Sequence, residues 1–264
     1  MTEYNETALA PDAQRQTEAS DAAGRHAASH EEDWFKPCAV IPVHDQQDRL
    51  AKVLRTLRDE DIPCVLVDDG SSPEAARLMD ELAREPGVQL VRHAHNQGKG
   101  GAMVSGLREA ARLGYSHALQ IELDGRYDLS AIGQLLDRAS QAPDALVCGY
   151  DPSERSLGQA LARLYTLSAS IRDVRCSLRV YPLATTLAFA NRIDLAARTG
   201  FDMEILVRLH WENQPMVWLP TSAIRPAGSS VSVQGCLELA AMHARLFLGL
   251  LMRAPALLLR RLND

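Results

Sequence analysis

Short apolar runs that end in acidic residues and a glycine recur along the first half of the chain. Two of them are VLVDDGSS at residues 65–72 and ALQIELDGRYD at residues 118–128. Continuous apolar runs of this length are typical of buried parallel strands, because helices cover both faces of a parallel sheet. Between the runs, apolar residues recur every three or four positions, as in amphipathic helices. The alternation predicts an α/β fold with a mainly parallel sheet flanked by helices.

The same pattern predicts the order of elements from about Trp34 onward. Ser71 or Ser72, followed by proline and glutamate, is expected to cap the helix after the second strand. Asn213 is expected to end a later helix in the left-handed conformation. Strands are predicted at residues 38–43, 64–67, 88–91, 118–123, 145–150 and 216–219, with a short strand within residues 173–182, and the clearest helices at residues 47–59 and 201–211.

The N-terminal segment differs in composition from this central part. Residues 1–33 are rich in Ala, Gln, Glu, Ser and Asp and contain few large apolar residues, which predicts a disordered tail. We expect a folded domain at residues 34–235 and a C-terminal amphipathic helical segment at residues 236–264. No secretory leader is expected, and no stretch is expected to reach the roughly 20 apolar residues of a transmembrane helix.

The C-terminal segment combines a wide apolar face with a narrow polar stripe. Pro255 is expected to kink or break its helix. Such a helix fits a membrane interface, and it fits equally well a helix buried against the domain or against a second copy in a homodimer. The stripe consists of Glu238, Arg245, Gly249, Arg253 and Arg260.

Carboxylates follow two of the predicted strands at their carboxyl ends. Asp68 and Asp69 follow one strand, and Glu122 and Asp124 follow another. Because open α/β sheets bind ligands at this edge, the four residues could hold a nucleotide and a metal ion. Each pair could also be a polar strand exit that caps the next helix.

A glycine-rich loop, HNQGKGGAMVSG, begins at His95 and leads into a predicted helix. Gly98 and its neighbours permit close backbone approach, the helix start favours anions, and Lys99 adds a positive charge, which together suit a diphosphate. The loop has neither the Walker A nor the GxGxxG spacing, and a plain glycine-rich turn is an equally good interpretation.

Overall charge and cysteine content narrow the class of protein. A net charge of −6 over 264 residues argues against a nucleic-acid-binding protein, which normally carries a basic face. The five cysteines form no CxxC pair, so they are interpreted as buried apolar residues in a reducing compartment. His44, His93 and His95 lack metal-binding spacing and are interpreted as surface or turn residues.

Six segments together resemble glycosyltransferase family 2, the inverting GT-A enzymes, and within it the polyprenyl-phosphate (dolichol-phosphate) sugar synthases. VDDGSS resembles the nucleotide-binding motif of the family, HNQGKGGAMVSGL its N-x-G-K-G segment, and ALQIELDGRYD its DxD segment. The resemblance implies a GT-A fold with a Rossmann-like nucleotide-binding half. The segments are residues 41–50, 67–72, 95–107, 118–128, 176–182 and 200–211.

The resemblance implies a role for each matching position on the donor side. Glu122 and Asp124 would bind Mg²⁺ or Mn²⁺ through oxygen. Glu122 stands where the family has the first Asp of DxD, and Arg126 replaces a Gln that often contacts the metal. The nucleotide sugar, UDP- or GDP-linked, would be bound by Pro42, Asp68, Asp69, Asn96, Gly98, Lys99 and Asp124.

On the acceptor side, the resemblance leaves two chemistries open. A hydroxyl acceptor needs a carboxylate base, for which Asp202 and Glu204 are the candidates. A lipid phosphate needs no base, and Arg175, Arg179 and Tyr181 would bind it. The segment Cys176–Arg179 departs from the family's C-G-F-R, and the family's paired transmembrane helices are not expected in this sequence.

These features predict an enzyme that transfers a sugar from a nucleoside-diphosphate sugar to a lipid-linked or membrane-associated acceptor. It would be made in the cytoplasm and bind the inner face of a membrane peripherally. The alternative is a non-catalytic relative that binds nucleotide sugar or lipid as a partner subunit. The altered DxD favours the alternative, while the intact VDDGSS and GKG segments favour the enzyme.

Overall fold

The computed structural model describes residues 34–126, 128–153, 155–193, 195, 200–222 and 233–263. The tail expected at residues 1–33 lies outside the described residues. From Pro37 onward the described residues form one compact unit, which includes the C-terminal helix.

Strands and helices alternate through the first half of the chain. These elements are β1 (Pro37–Val43), α1 (Gln47–Asp59), β2 (Cys64–Asp68), α2 (Pro73–Leu82), β3 (Val88–Arg92), α3 (Lys99–Arg112) and β4 (His117–Gln120). A 3₁₀ turn at Leu129–Ala131 precedes the rest, which are α4 (Ile132–Gln141), β5 (Leu146–Tyr150), α5 (Leu157–Thr166), β6 (Arg179–Pro182), α6 (Leu183–Ala190), α7 (Phe201–Trp211), β7 (Met216–Pro220) and α8 (Val233–Asn263).

The seven strands form one sheet in the order β3-β2-β1-β4-β6-β5-β7. Strand β6 runs antiparallel to both its neighbours, and the other pairs are parallel. Val43 pairs with Asp68 in register, so β1 and β2 end side by side, and β4 lies on the other side of β1. Parallel strands with a common edge place the ends of β1, β2 and β4 around one site.

The mainly parallel α/β fold predicted from the pattern is confirmed. Helices α1 and α7 have the bounds that apolar periodicity predicts, Ser72 caps α2, and Asn213 has the left-handed φ of 61°. Strand β4 is shorter than expected because it ends at Gln120. Glu122 and Asp124 therefore lie in the turn after the strand.

Helix α8 packs one face on the domain and leaves the other exposed. Met242, Leu246, Leu250 and Leu257 are buried. The helix continues through Pro255, so the expected break is absent. The exposed large apolar side chains of the helix are Leu237, Phe247, Leu248, Leu251, Met252, Leu258 and Leu259. We call these seven residues the apolar face of α8.

The expectation that no stretch of α8 could span a membrane is wrong. By length and composition, Gly235–Leu259 could cross a membrane, although no such stretch was expected. Two arginines of the stripe contact α7: Arg245 pairs with Glu204 at 3.3 Å, and the guanidinium of Arg253 stacks 4.9 Å from the ring centre of Trp211. These arginines therefore attach α8 to α7.

Candidate active site

A cleft of about 1020 Å³ opens at the carboxyl ends of β1, β2 and β4. It extends from these strand ends to the surfaces of α5 and α8. The sequence-predicted site residues that line it are Pro42, Asp69, Asn96, Gly98, Lys99, Glu122, Asp124, Arg175 and Asp202. Segments that are far apart in sequence therefore meet in one cavity, as the interpretation of a substrate site requires.

Asp69 holds the glycine-rich loop against the end of β2. Its carboxylate accepts hydrogen bonds from the backbone N–H groups of Gln97 and Gly98 at 2.8 and 2.7 Å, and it contacts His93 Nδ1 at 2.7 Å. Gly70, with φ of 70°, lets the loop approach closely, because a Cβ there would lie 2.6 Å from the backbone N of Asn96. Asp69 thus positions the loop that carries Lys99.

Asp68 turns away from the cleft. Its carboxylate accepts hydrogen bonds from the backbone N–H of Ser71 at 2.9 Å and from Arg92 Nε at 2.7 Å, and its side chain is buried. The expectation that Asp68 contacts the nucleotide therefore needs correction, because its oxygens are used to organise the VDDGSS turn.

His93 was expected to be a surface or turn residue, but the structure buries it. It is buried between Asp69 and Ser105, whose hydroxyl lies 2.9 Å from Nε2. His44, by contrast, is exposed and lines the cleft, and His95 is exposed. A polar residue after the third strand gave no signal that it would face the interior.

Lys99, the first residue of α3, lies between two carboxylates. Its ammonium group donates hydrogen bonds to Glu122 and Asp202. Burial alone would lower the pKa of Lys99, but the charges of Asp202 and Glu122 outweigh it and raise the pKa. Lys99 is therefore a fixed positive charge, and its side chain remains a quarter exposed to the cleft, at 25%.

The pKa values of the two carboxylates move in opposite directions. Burial raises the pKa of Glu122 more than Lys99 lowers it. Burial also acts to raise the pKa of Asp202, but Lys99 and then Arg179 hold it below its ordinary value. The lowered pKa makes Asp202 a weaker proton acceptor than an ordinary aspartate.

Arg179 and Tyr181 hold Asp202 in position through hydrogen bonds from the protein interior. Neither residue lines the cleft. Arg179 is fully buried and donates to the backbone oxygen of Asp202 at 3.0 Å and to that of Val174 at 3.1 Å. Tyr181 donates to Gln120 Oε1 at 2.8 Å, and Gln120 in turn donates to Asp202 Oδ1 at 3.2 Å. Direct contact of Arg179 or Tyr181 with an acceptor was expected, and their burial argues against it.

Glu204 also lies outside the cleft. Its carboxylate is fully buried and pairs with Arg208 at 2.8 Å and Arg245 at 3.3 Å. Residues two apart on a helix point in different directions, so Glu204 and Asp202 cannot share one site. The interpretation of Glu204 as a candidate base therefore needs correction. Its carboxylate joins α7 to α8.

The turn after β4 carries Asp124 and Arg126 into the cleft. Asp124 accepts a hydrogen bond from the backbone N–H of Arg126 at 2.9 Å, and the two side chains form an ion pair at 3.4 Å. Arg49 donates to the backbone oxygens of Leu123 and Asp124. Gly125 permits this contact, because a Cβ there would collide with the Arg49 guanidinium.

The side chains at this turn provide only part of the ligands that a divalent cation needs. Glu122 and Asp124 both present carboxylate oxygens, which Mg²⁺ and Mn²⁺ prefer. Among the described residues, no group of three or more His, Cys, Asp or Glu side chains could hold a metal ion. The two carboxylates would fit an ion that takes its remaining ligands from substrate phosphates and water, as Mg²⁺ commonly does.

Apart from Arg175, the far end of the cleft is lined by residues that the sequence did not indicate as site residues. Helix α5 contributes Leu157 and Leu161, and α8 contributes Leu239 and His243. Arg175 lines the cleft, and its backbone N–H donates to the buried Asp173 at 2.8 Å. The cleft thus has a charged end at the strand termini and an apolar end that carries Arg175 and His243.

Comparison with known proteins places this geometry in a family. Residues 38–167 match the family model described as "Glycosyl transferase family 2". An undecaprenyl-phosphate 4-deoxy-4-formamido-L-arabinose transferase from Edwardsiella ictaluri is 29% identical over 160 residues, covering 54% of this chain and 47% of the relative. An undecaprenyl-phosphate mannosyltransferase from Micrococcus luteus is 24% identical, covering 72% and 85%.

The chain spans about half the length of three curated relatives that it matches, between 44% and 48% of each. Among solved structures, the chain resembles glucosyl-3-phosphoglycerate synthase from Mycobacterium tuberculosis in complex with Mn²⁺ and UDP-glucose. The TM-score is 0.58 at 14% identity, covering 85% of this chain and 80% of that one. The likeness shows the GT-A fold. Residues 38–167 therefore form a glycosyltransferase family 2 domain, and the chain resembles the polyprenyl-phosphate sugar transferases.

Proposed function

We propose that this protein transfers a sugar from a nucleoside-diphosphate sugar to a polyprenyl phosphate, with inversion at the anomeric carbon. The observation that carries the proposal is the cleft itself, in which a charged end and an apolar end are continuous. The names of the relatives supply the class of acceptor. Apart from the altered DxD segment, no observation favours the alternative of a non-catalytic partner subunit.

The nucleoside-diphosphate sugar would occupy the charged end of the cleft. Pro42, Asn96 and Gly98 line this end and would contact the nucleotide, while Asp69 holds the loop in place. Lys99 would stabilise the negative charge that builds on the leaving diphosphate when its bond to the anomeric carbon breaks. A UDP-linked donor is proposed first, because UDP-glucose occupies the structural neighbour.

Glu122 and Asp124 would hold Mg²⁺ or Mn²⁺, the ion present in that neighbour being Mn²⁺. When bound, the ion would neutralise part of the charge on the diphosphate. Arg126 lies beside Asp124 and would contribute positive charge on the same side.

The acceptor would be a phosphate rather than a hydroxyl. A hydroxyl would need a base in the cleft, but Glu204 is buried away from it and the pKa of Asp202 is lowered. A phosphate oxygen is already anionic at neutral pH and attacks the anomeric carbon without losing a proton. Arg175 would bind this phosphate, and the apolar wall from α5 and α8 would contact the first isoprene units.

The apolar face of α8 would lie against a bilayer. Only 22% of its most apolar stretch is buried, so α8 is not a core helix. Its other side packs on α7 next to the cleft, which favours a peripheral position in the membrane interface over a membrane-spanning one. We propose the cytoplasmic side, which agrees with four buried free cysteines among the described residues.

Radiolabelled UDP- and GDP-sugars, incubated with the full chain, Mn²⁺ and undecaprenyl phosphate in detergent, would test this function. Thermal shift with the same nucleotide sugars would select the donor, because a ligand that binds only the folded state raises the melting temperature. We expect label in the lipid extract with one donor. Binding of a donor with no transfer to any polyprenyl phosphate would favour the non-catalytic alternative.

A further inference from the structure

The C-terminal helix does more than cover the domain, because it supplies one wall of the cleft. Gly235, Leu239 and His243 line the cavity at four-residue intervals, which places them on one side of α8. This side differs from the apolar face of α8, to which none of the three belongs. His243 is the member of this set whose side chain can donate or accept a hydrogen bond.

A hydrogen bond to α5 fixes the position of His243. The hydroxyl of Tyr165 lies 3.0 Å from His243 Nδ1, and the two rings lie 5.8 Å apart. Tyr165 is itself held, since its backbone oxygen accepts a hydrogen bond from Trp211 Nε1 at 2.9 Å. Elements α5, α7 and α8 therefore fix the imidazole ring at the edge of the cleft.

We assign His243 the tautomer in which the Tyr165 hydroxyl donates to Nδ1 and the ring proton lies on Nε2. A neutral imidazole has one donor and one acceptor nitrogen, and a tyrosine hydroxyl that donates to Nδ1 leaves the proton on Nε2. Burial lowers the pKa of His243, which favours this neutral form near pH 7. Within the part of the chain that the structure describes, Nε2 has no hydrogen-bond partner.

We propose that His243 donates its Nε2–H to the phosphate of the polyprenyl-phosphate acceptor, beside Arg175 in the same cleft. This inference rests on the proposed function and names a binding residue for its acceptor. One cation and one neutral donor would hold the phosphate in place. A second full positive charge would stabilise the phosphate oxygens more strongly and make them poorer nucleophiles.

Steady-state kinetics of three variants would test the role of His243. His243→Leu removes the N–H group that donates the hydrogen bond, and His243→Gln keeps such a group. Tyr165→Phe removes only the hydroxyl that orients the ring. We expect His243→Leu to raise KM for undecaprenyl phosphate by about tenfold or more, as for the loss of one hydrogen bond to a charged group. His243→Gln should recover part of this loss, and Tyr165→Phe should raise KM less.

Two readouts separate this role from a merely structural one. KM for the nucleotide sugar and the slow hydrolysis of the donor without acceptor should stay at wild-type values in all three variants. His210→Gln, on α7 outside the cleft, is the matched control and should leave KM for the acceptor unchanged. Unchanged acceptor KM in His243→Leu, or an equal rise in both KM values, would overturn the inference. Absence of transfer by the wild-type enzyme would instead contradict the proposed function.

Discussion

The ammonium group of Lys99 donates a hydrogen bond to the carboxylate of Asp202, across 103 positions of the sequence. Lys99 begins α3 at the donor end of the cleft, and Asp202 lies in the first turn of α7 on the acceptor side. One ion pair therefore joins the two halves of the site. The same ammonium also contacts Glu122, so three charged groups depend on each other.

The first prediction concerns Lys99. Lys99→Ala removes the positive charge that separates Glu122 from Asp202, and it removes a charge that would stabilise the leaving diphosphate. We expect kcat to fall by about 10²–10³-fold, the range for loss of one group that stabilises developing charge. Lys52→Ala, at an exposed lysine on α1, is the matched control and should retain wild-type kcat. A Lys99→Ala enzyme with wild-type kcat would exclude this role.

The second prediction concerns Asp69. Asp69→Ala leaves the N–H groups of Gln97 and Gly98 without their acceptor. We expect the free energy of unfolding, measured with urea, to drop by about 1–3 kcal/mol. Donor binding should weaken at the same time, because the loop that carries Lys99 loses its anchor.

Asp137→Ala, at an exposed position on α4, is the control for Asp69 and should change neither quantity measurably. A stable Asp69→Ala protein that binds the donor normally would show that other contacts hold the loop.

The third prediction concerns the divalent cation. EDTA should abolish transfer, Mn²⁺ or Mg²⁺ should restore it, and Asp124→Asn should not be restored by either ion. Glu122→Asp should keep or improve activity, because the shorter carboxylate restores the family's pattern. Full wild-type activity in EDTA would mean that Lys99 and Arg126 supply all the positive charge that the diphosphate needs.

The fourth prediction concerns the membrane. Truncation before α8 would be a poor test, because α8 buries Met242 and Leu246 and lines the cleft. Replacing exposed Phe247 and Leu251 by glutamate changes only the apolar face of α8. We expect the wild type to float with liposomes and the double variant to remain in the soluble fraction.

Gln134→Glu, on the exposed side of α4, controls for added charge and should still float. Equal flotation of the Phe247 and Leu251 variant and the wild type would contradict binding through α8. A wild type that does not float but forms a homodimer, which the double variant loses, would assign the face to a second copy.

The fifth prediction concerns stability against pH. Burial lowers the pKa of His117 more than its hydrogen bond to the Pro143 carbonyl raises it. Below about pH 6.5 the unfolded chain therefore binds a proton that the folded protein resists. The free energy of unfolding should fall from pH 7.5 to pH 5.5, and His117→Gln should show a smaller fall. An identical fall in both proteins would contradict this contribution from His117.

The sequence predicted the strand ends of the site well because hydrophobic pattern and turn chemistry are local. Asp69, Lys99 and Asp124 are placed at the cleft by the ends of β2, the loop before α3 and the turn after β4. Each position follows from a short stretch of chain. The common edge of parallel strands then brings the stretches together.

Side-chain direction in the second half could not be predicted in the same way. Arg179 and Tyr181 lie on β6, whose antiparallel insertion between β4 and β5 has no signal in a four-residue apolar stretch. His243 reaches the cleft because of how α8 docks on α5 and α7, which is a tertiary property. Glu204, by contrast, could have been separated from Asp202 by helical geometry alone.

The most direct test of the central claim is transfer of labelled sugar from a nucleotide sugar to undecaprenyl phosphate, with the anomeric configuration of the product determined by NMR. We predict a polyprenyl-phosphate sugar whose anomeric configuration is inverted relative to the donor, formed by the wild type and lost in Lys99→Ala. A folded wild-type protein that binds the nucleotide sugar, yet transfers no sugar to the lipid in the presence of Mn²⁺, would contradict the account.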